Sequence, residues 1–136
     1  MGLDQVILRG KHNVPIKINQ ETGEWENAEE IIRCHKYYWL HYRMLDLGIE
    51  KLGLNYTELN CKFIPITKDD LLKIVNQGKE IFETKSEILL KKYFDVKPDN
   101  ENQLEYILTD IRDFNVSIMR YLKNVKKTEY WYWSWW

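Results

Sequence analysis

The chain has 136 residues, 20 Lys and Arg against 21 Asp and Glu, and a formal net charge of -1. That length fits one domain able to bury a core without disulfides or a structural metal. The near-neutral charge excludes a global field for gripping an extended nucleic-acid duplex, so any such contact must be local. The N-terminus carries no basic region followed by an apolar run, and no stretch approaches the ~20 apolar residues of a membrane span. The expectation is a protein that stays in the cytoplasm where it is made. Met1-Gly2 does not continue as a myristoylation signal, because Val6 stands where Ser or Thr is required.

Leu3 to Arg9, with Val6, Ile7 and Leu8, reads as a short strand running into the loop Gly10 to Asn13. Val14 to Ile18 alternates apolar residues with Pro15 and Lys17, and the proline restricts it to an edge or strand end. A small hairpin follows from these two segments, and Asn19 to Glu24 is polar loop. Asn27 with Glu30 three residues on resembles a capping box, which predicts a first helix from there. Its stripe is Ala28, Ile31, Ile32, His35, Tyr38, Trp39, Tyr42 and Leu45, with Gly48 or Gly53 as its stop.

Cys61 to Ile66 reads as a third strand, and Thr67 with Asp70 caps a second helix. The stripe of that helix runs from Leu71 through Ile74, Val75, Gly78 and Ile81 to Leu89, and Lys85 interrupts it, so a break between Glu83 and Ser86 is expected. Pro98, Asp99 and Asn100 mark a turn before a third helix, whose apolar positions run from Leu104 to Val125. Tyr130 to Trp136 holds six aromatics in seven positions and reads as a strand. The expected fold class is α+β, a small and largely antiparallel sheet of N-terminal, central and C-terminal strands packed with three amphipathic helices.

Cys34 and Cys61 are too few for a disulfide framework. Cys34 and His41 are seven residues apart, ~10 Å along a helix, too far to share one zinc. No metal site and no cofactor is expected. His35 sits among apolar residues, where a histidine is more often a hydrogen-bonded core residue than a base. No partner completes a catalytic pair with it; a pocket joining it to Asp46 or Glu30 would revive an enzyme reading. No phosphate-binding glycine loop is present.

The C-terminal strand is the anomaly. Tyr130, Tyr132, Ser134 and Trp136 face one side, and Trp131, Trp133 and Trp135 the other. Exposed together, three tryptophans would present roughly 600 Å² of apolar surface, the upper limit for a monomer. Three explanations stand: a central strand covered on both faces, a face for a partner protein or second copy, or a stacking platform for a nucleotide. The candidate binding residues are Trp131, Tyr132, Trp133 and Trp135, with Lys123, Lys126 and Lys127 to meet phosphates. His35 and Trp39 join them from the first helix.

Met1 to Asp4, His35-Lys36-Tyr37-Tyr38, Ile66 to Leu72 and Ser134-Trp135 together resemble a group of short proteins encoded in bacteriophage and bacterial genomes that begin Met-Gly-Leu-Asp. The chain departs from that pattern at Ala28, where the group carries tryptophan and the nearest one here is Trp25, and it lacks the long loop before the last helix. The group has no established activity, so no catalytic role carries over. The resemblance implies a small accessory binding protein in an infected host cell, a counter-defence factor that engages a host defence protein or sequesters a nucleotide-like signal. The alternative is a structural or regulatory module that self-associates through its aromatic strand.

Overall fold

The computed structural model describes residues 2–123 and 125–136. Met1, the first residue of the opening motif, and Asn124, inside the span expected for the last helix, lie outside the described residues. The chain is α+β, with a four-stranded antiparallel sheet. In chain order the elements are β1 (Asp4–Arg9), β2 (Lys17–Ile18), β3 (Trp25–Glu26), β4 (Glu29–His35), α1 (Tyr38–Leu52), a 3-10 turn (Tyr56–Leu59), β5 (Ile64–Thr67), α2 (Lys68–Thr84), α3 (Glu87–Phe94), α4 (Glu101–Leu122) and β6 (Glu129–Trp135). The sheet order is β4-β1-β6-β5, while β2 and β3 pair in a separate ribbon. The two chain ends therefore meet at the sheet centre, with Val6 opposite Trp133.

Two expectations are corrected. The segment from Asn27 to His35 is not the start of a helix. Glu29–His35 is a strand pairing with β1, and Asn27 has a φ of 68°, a turn conformation rather than a helix cap. Ile31, Ile32 and Cys34 fit a pleated surface as well as a helical stripe, and pairing with β1 decides between them. A bulge between Ile7 and Leu8 leaves Ile31 unpaired. Lys36, at a φ of 57°, then turns the chain into α1. The helices number four among the described residues, not three, because the break expected around Lys85 is complete. Lys85 ends α2 in the left-handed conformation, and the Ser86 hydroxyl caps α3 by accepting from Leu89 N at 3.2 Å. The Thr67–Asp70 capping box before α2 forms as expected, with Asp70 N donating to Thr67 Oγ1 at 3.1 Å.

The helices lie on one face of the sheet. Their core gathers around Trp39, whose ring meets Phe94 and Phe114 edge-on at 5.2 and 5.3 Å. Gly78 lets α2 approach α4 closely, since a Cβ there would stand 2.8 Å from Ile111 Cγ2. Tyr130 and Tyr132 of β6 point into this core and are fully buried. On the opposite face the segment between β1 and β4 folds back over the tryptophans. Trp25 of β3 meets Trp133 at 5.9 Å and Phe63 at 5.8 Å, and His12 meets Trp131 at 5.1 Å. His12 Nε2 sits 2.8 Å from Tyr130 O and 3.1 Å from Ile66 O, tying this cover to the β5–β6 edge. Val6 and Leu8, on the tryptophan side of β1, are buried as a result.

One polar cluster crosses the core. Gln5 is buried in β1 and pairs with the backbone of Tyr37: Tyr37 N donates to Gln5 Oε1 at 2.8 Å, and Gln5 Nε2 donates to Tyr37 O at 3.2 Å. Gln5 Nε2 also donates to the Tyr132 hydroxyl at 2.9 Å, which lies 3.0 Å from His41 Nδ1. Burial pushes His41 down to about 4, so the ring that meets the phenol is neutral at pH 7. Tyr37 precedes α1 and carries no side-chain cap of its own, so Gln5 supplies the partner for that helix start.

Gln5→Ala should lower unfolding free energy by about 2–4 kcal/mol, since it strands the Tyr37 N–H inside the core, removes one of the two partners of the Tyr132 hydroxyl and leaves a cavity; urea denaturation measures it, and a loss near zero would show that water replaces the amide. His41 gives a pH signature. Its folded value lies below the ordinary 6.5, so the unfolded chain binds the extra proton and stability is lost as pH falls from 6.5 toward 4. Asp110 opposes it: burial and then Asp113 push its carboxyl up to about 6, which adds stability as pH falls from 6 toward 3.8. In an Asp110→Asn background, the chain should lose about 1.5 kcal/mol between pH 6.5 and 5, and adding His41→Gln should remove most of that loss.

Candidate anion-binding cleft

At one end of the central strands lies a cleft of about 460 Å³. Arg9 and Gly10 reach it from the end of β1, Lys11 and Val14 from the following loop, and Lys126, Lys127, Thr128 and Glu129 from the run into β6. Asn27 closes its rim. The antiparallel pairing of Arg9 with Tyr130 brings these two distant segments together.

The run into β6 is held by its backbone. Gly10 N donates to Glu129 O at 3.3 Å, Lys68 N to Thr128 O at 3.0 Å, Lys68 Nζ to Val125 O at 3.1 Å, and the Tyr130 hydroxyl to Lys127 O at 3.1 Å. With those carbonyls committed, the lysine side chains are the groups left to face a ligand. Gly10 is required by space, because a Cβ there would stand 2.8 Å from Asn27 O and 3.3 Å from Ala28 Cβ. Asn27 in turn donates to Pro15 O at 3.0 Å, which fixes the far rim.

Four cationic side chains, Arg9, Lys11, Lys126 and Lys127, surround the cleft against the single carboxylate of Glu129. Arg9 is bonded to Glu29 and lies 6.0 Å from the Tyr121 ring centroid. Glu129 Oε1 accepts from His12 N at 3.2 Å. Among the described residues, Lys11, Lys126 and Lys127 make no ion pair within the chain. The donor set is ammonium and guanidinium groups beside a Thr128 hydroxyl, which can hold an anion.

The residues singled out in the sequence scatter. Lys126 and Lys127 line this cleft. Lys123 stands at the C-terminal end of α4. Tyr132 and Trp39 are core residues and fully buried. Trp131 and Trp133 are half-buried beneath His12, Trp25 and Phe63, and Trp135 alone of the strand's tryptophans is broadly exposed, at 51%. His35 belongs to strand β4 rather than to a helical stripe, and it is exposed and paired with Asp4. Glu30 holds Arg33 at 2.6 Å instead. Among the described residues no group of three or more His, Cys, Asp or Glu is placed to hold a metal ion, and no helix is long and apolar enough to cross a membrane. Burial raises the Cys34 thiol to about 12, and Cys61 is exposed; both are free.

Arg9, Lys11 and Gly10 were not foreseen. They are more than a hundred residues from Lys126 and carry no local signal; only the pairing of β1 with β6 brings them into register.

Gly10→Ala should cost about 1–3 kcal/mol of stability by forcing the Asn27 backbone away, and it should reshape the cleft rim. Thermal unfolding checks this, and an unchanged midpoint would mean that the rim moves freely. No protein-family model matches this chain, and neither the curated proteins nor the solved structures contain a match.

Proposed function

We propose that the protein is a non-catalytic binding protein whose cationic cleft takes a phosphate-bearing, nucleotide-like anion. The observation that carries this reading is the gathering of Arg9, Lys11, Lys126 and Lys127 around one cleft of about 460 Å³, with three of the four making no ion pair among the described residues. That volume falls in the range of small-molecule sites, roughly 300–1,000 Å³. The overall charge of -1 makes the concentration of cations there local rather than a consequence of composition. The resemblance to phage-encoded proteins supplies the setting: a counter-defence factor in the cytoplasm of an infected cell that withdraws a nucleotide signal from the host.

A second reading rests on Trp135, exposed beside the His35–Asp4 pair on the open end of the tryptophan face. That surface suits a host defence protein or a second copy of the chain. The small area left uncovered weighs against it. A mass in dilute solution that does not change with concentration would remove the self-association form of this reading.

Nucleoside mono-, di- and triphosphates titrated into the protein should bind more tightly as phosphates are added and more weakly as salt rises. The double variant Lys126→Glu/Lys127→Glu should lose at least about tenfold in affinity, while Lys79→Glu on α2 should not. Calorimetry with circular dichroism as the fold control decides it. Equal affinity in the charge-reversed variant, or no binding by any phosphate series, would sink the proposal.

A further inference from the structure

A second cleft, of about 420 Å³, lies between the start of α1 and the first half of α4. It sits beyond the Asp4–His35 end of the sheet, whereas the cationic cleft adjoins Arg9 at the other end of β1. Six strand residues separate them, roughly 20 Å at about 3.3 Å per residue. No single mononucleotide spans that distance.

Its walls are aromatic. Tyr38 and Tyr42 stand one turn apart on α1, and Tyr106 and Asp110 one turn apart on α4. Trp39 lines the cleft from the core, and its indole N–H has no acceptor among the described residues. Tyr38 and Tyr106 are 46% and 74% exposed, large rings that the fold itself leaves uncovered. Exposed tyrosine faces are stacking surfaces for planar heterocycles.

The polar groups narrow the ligand. Asp110 is half-buried, and among the described residues it makes neither an ion pair nor a hydrogen bond. Burial and the neighbouring Asp113 disfavour its charge, the cost of a half-buried carboxylate that has no partner among the described residues. Lys36 and Lys97 line the same cleft without pairing to it, and the other acid, Asp95, is engaged by Lys91. A cationic ligand would satisfy Asp110 but would be repelled by both lysines. A neutral ring with two adjacent N–H donors satisfies the two carboxylate oxygens and meets no such repulsion.

We propose that this cleft is a separate nucleobase site that takes a guanine-type ring, stacked on the exposed tyrosines with its adjacent N–H donors on the Asp110 carboxylate. Adenine presents one amino group beside a ring acceptor, so one carboxylate oxygen would face a lone pair. A site built on paired acceptors disfavours such an analogue because one of its oxygens is left facing a lone pair.

Nucleosides test this without involving the cationic cleft, because they carry no phosphate. Guanosine and adenosine are titrated into the full chain and followed by amide chemical shifts. Guanosine should shift residues 36–42 and 103–110 and bind at least tenfold more tightly than adenosine. Asp110→Asn, which removes a disfavoured charge and should fold, is expected to abolish that preference. Tyr106→Ala, at an exposed position, should weaken guanosine at least threefold, whereas Lys126→Glu/Lys127→Glu should leave it unchanged. The proposal is overturned if neither nucleoside binds, if both bind alike, if the shifts map elsewhere, or if Asp110→Asn keeps the preference. A nucleoside-binding result with no response to phosphorylated ligands at Lys126 and Lys127 would retain this site and discard the cationic-cleft reading.

Discussion

Gln5 joins three parts of the molecule that are far apart in sequence: the first strand, the residue that opens α1, and the central tyrosine of the last strand. Its amide is the only side chain positioned to satisfy the Tyr37 backbone on both its N–H and C=O among the described residues. In a core of Leu, Ile and Trp, each of these polar atoms would cost about 1–3 kcal/mol if left unpaired. The cluster therefore tolerates one arrangement of β1, β6 and α1. Apolar packing alone would permit a strand to slide, whereas a matched amide does not. His41 completes the cluster beside the Tyr132 hydroxyl, and burial of its ring is what depresses its proton affinity.

Once β1 and β6 are locked side by side, both faces of the pair must be covered. The helices cover one, with Ile7, Tyr130 and Tyr132 beneath them. The other is covered by the chain's own residues between β1 and β4, through Trp25 and His12, with Phe63 from the approach to β5. Edge-on aromatic contacts near 5–6 Å favour this arrangement because the positive rim of one ring meets the negative face of the next. The dense C-terminal aromatics are thus chiefly structural, and their free surface shrinks to the neighbourhood of Trp135. Pro65 in the outer strand β5 and the charged residues of β4 guard the two open edges.

The same locking places chemistry at the two ends of β1. At one end, its pairing with β6 sets Arg9 and Lys11 across from Lys126 and Lys127. At the other, its pairing with β4 delivers Lys36 and the start of α1 against α4. Both clefts are built on element ends held by a rigid central strand. Such positions can present side chains without disturbing the core.

The sequence by itself determined the α+β class, the strand at Leu3 to Arg9, the capped start at Thr67, the interruption near Lys85, the last helix from the turn at Asn100, and the strand of aromatics. Each is encoded within a few residues, by periodicity, a cap or a run of β-favouring side chains. The segment from Asn27 to His35 was not legible, because Ala28, Ile31, Ile32 and His35 match a helical spacing while Ile32 and Cys34 also match an alternating one. Hydrogen bonds to β1, formed only in the folded chain, chose the strand. The cover over the tryptophans, the buried Gln5 and the meeting of Arg9 with Lys127 belong to the tertiary structure for the same reason. They depend on which strands become neighbours, and local pattern carries no term for a partner more than a hundred residues away.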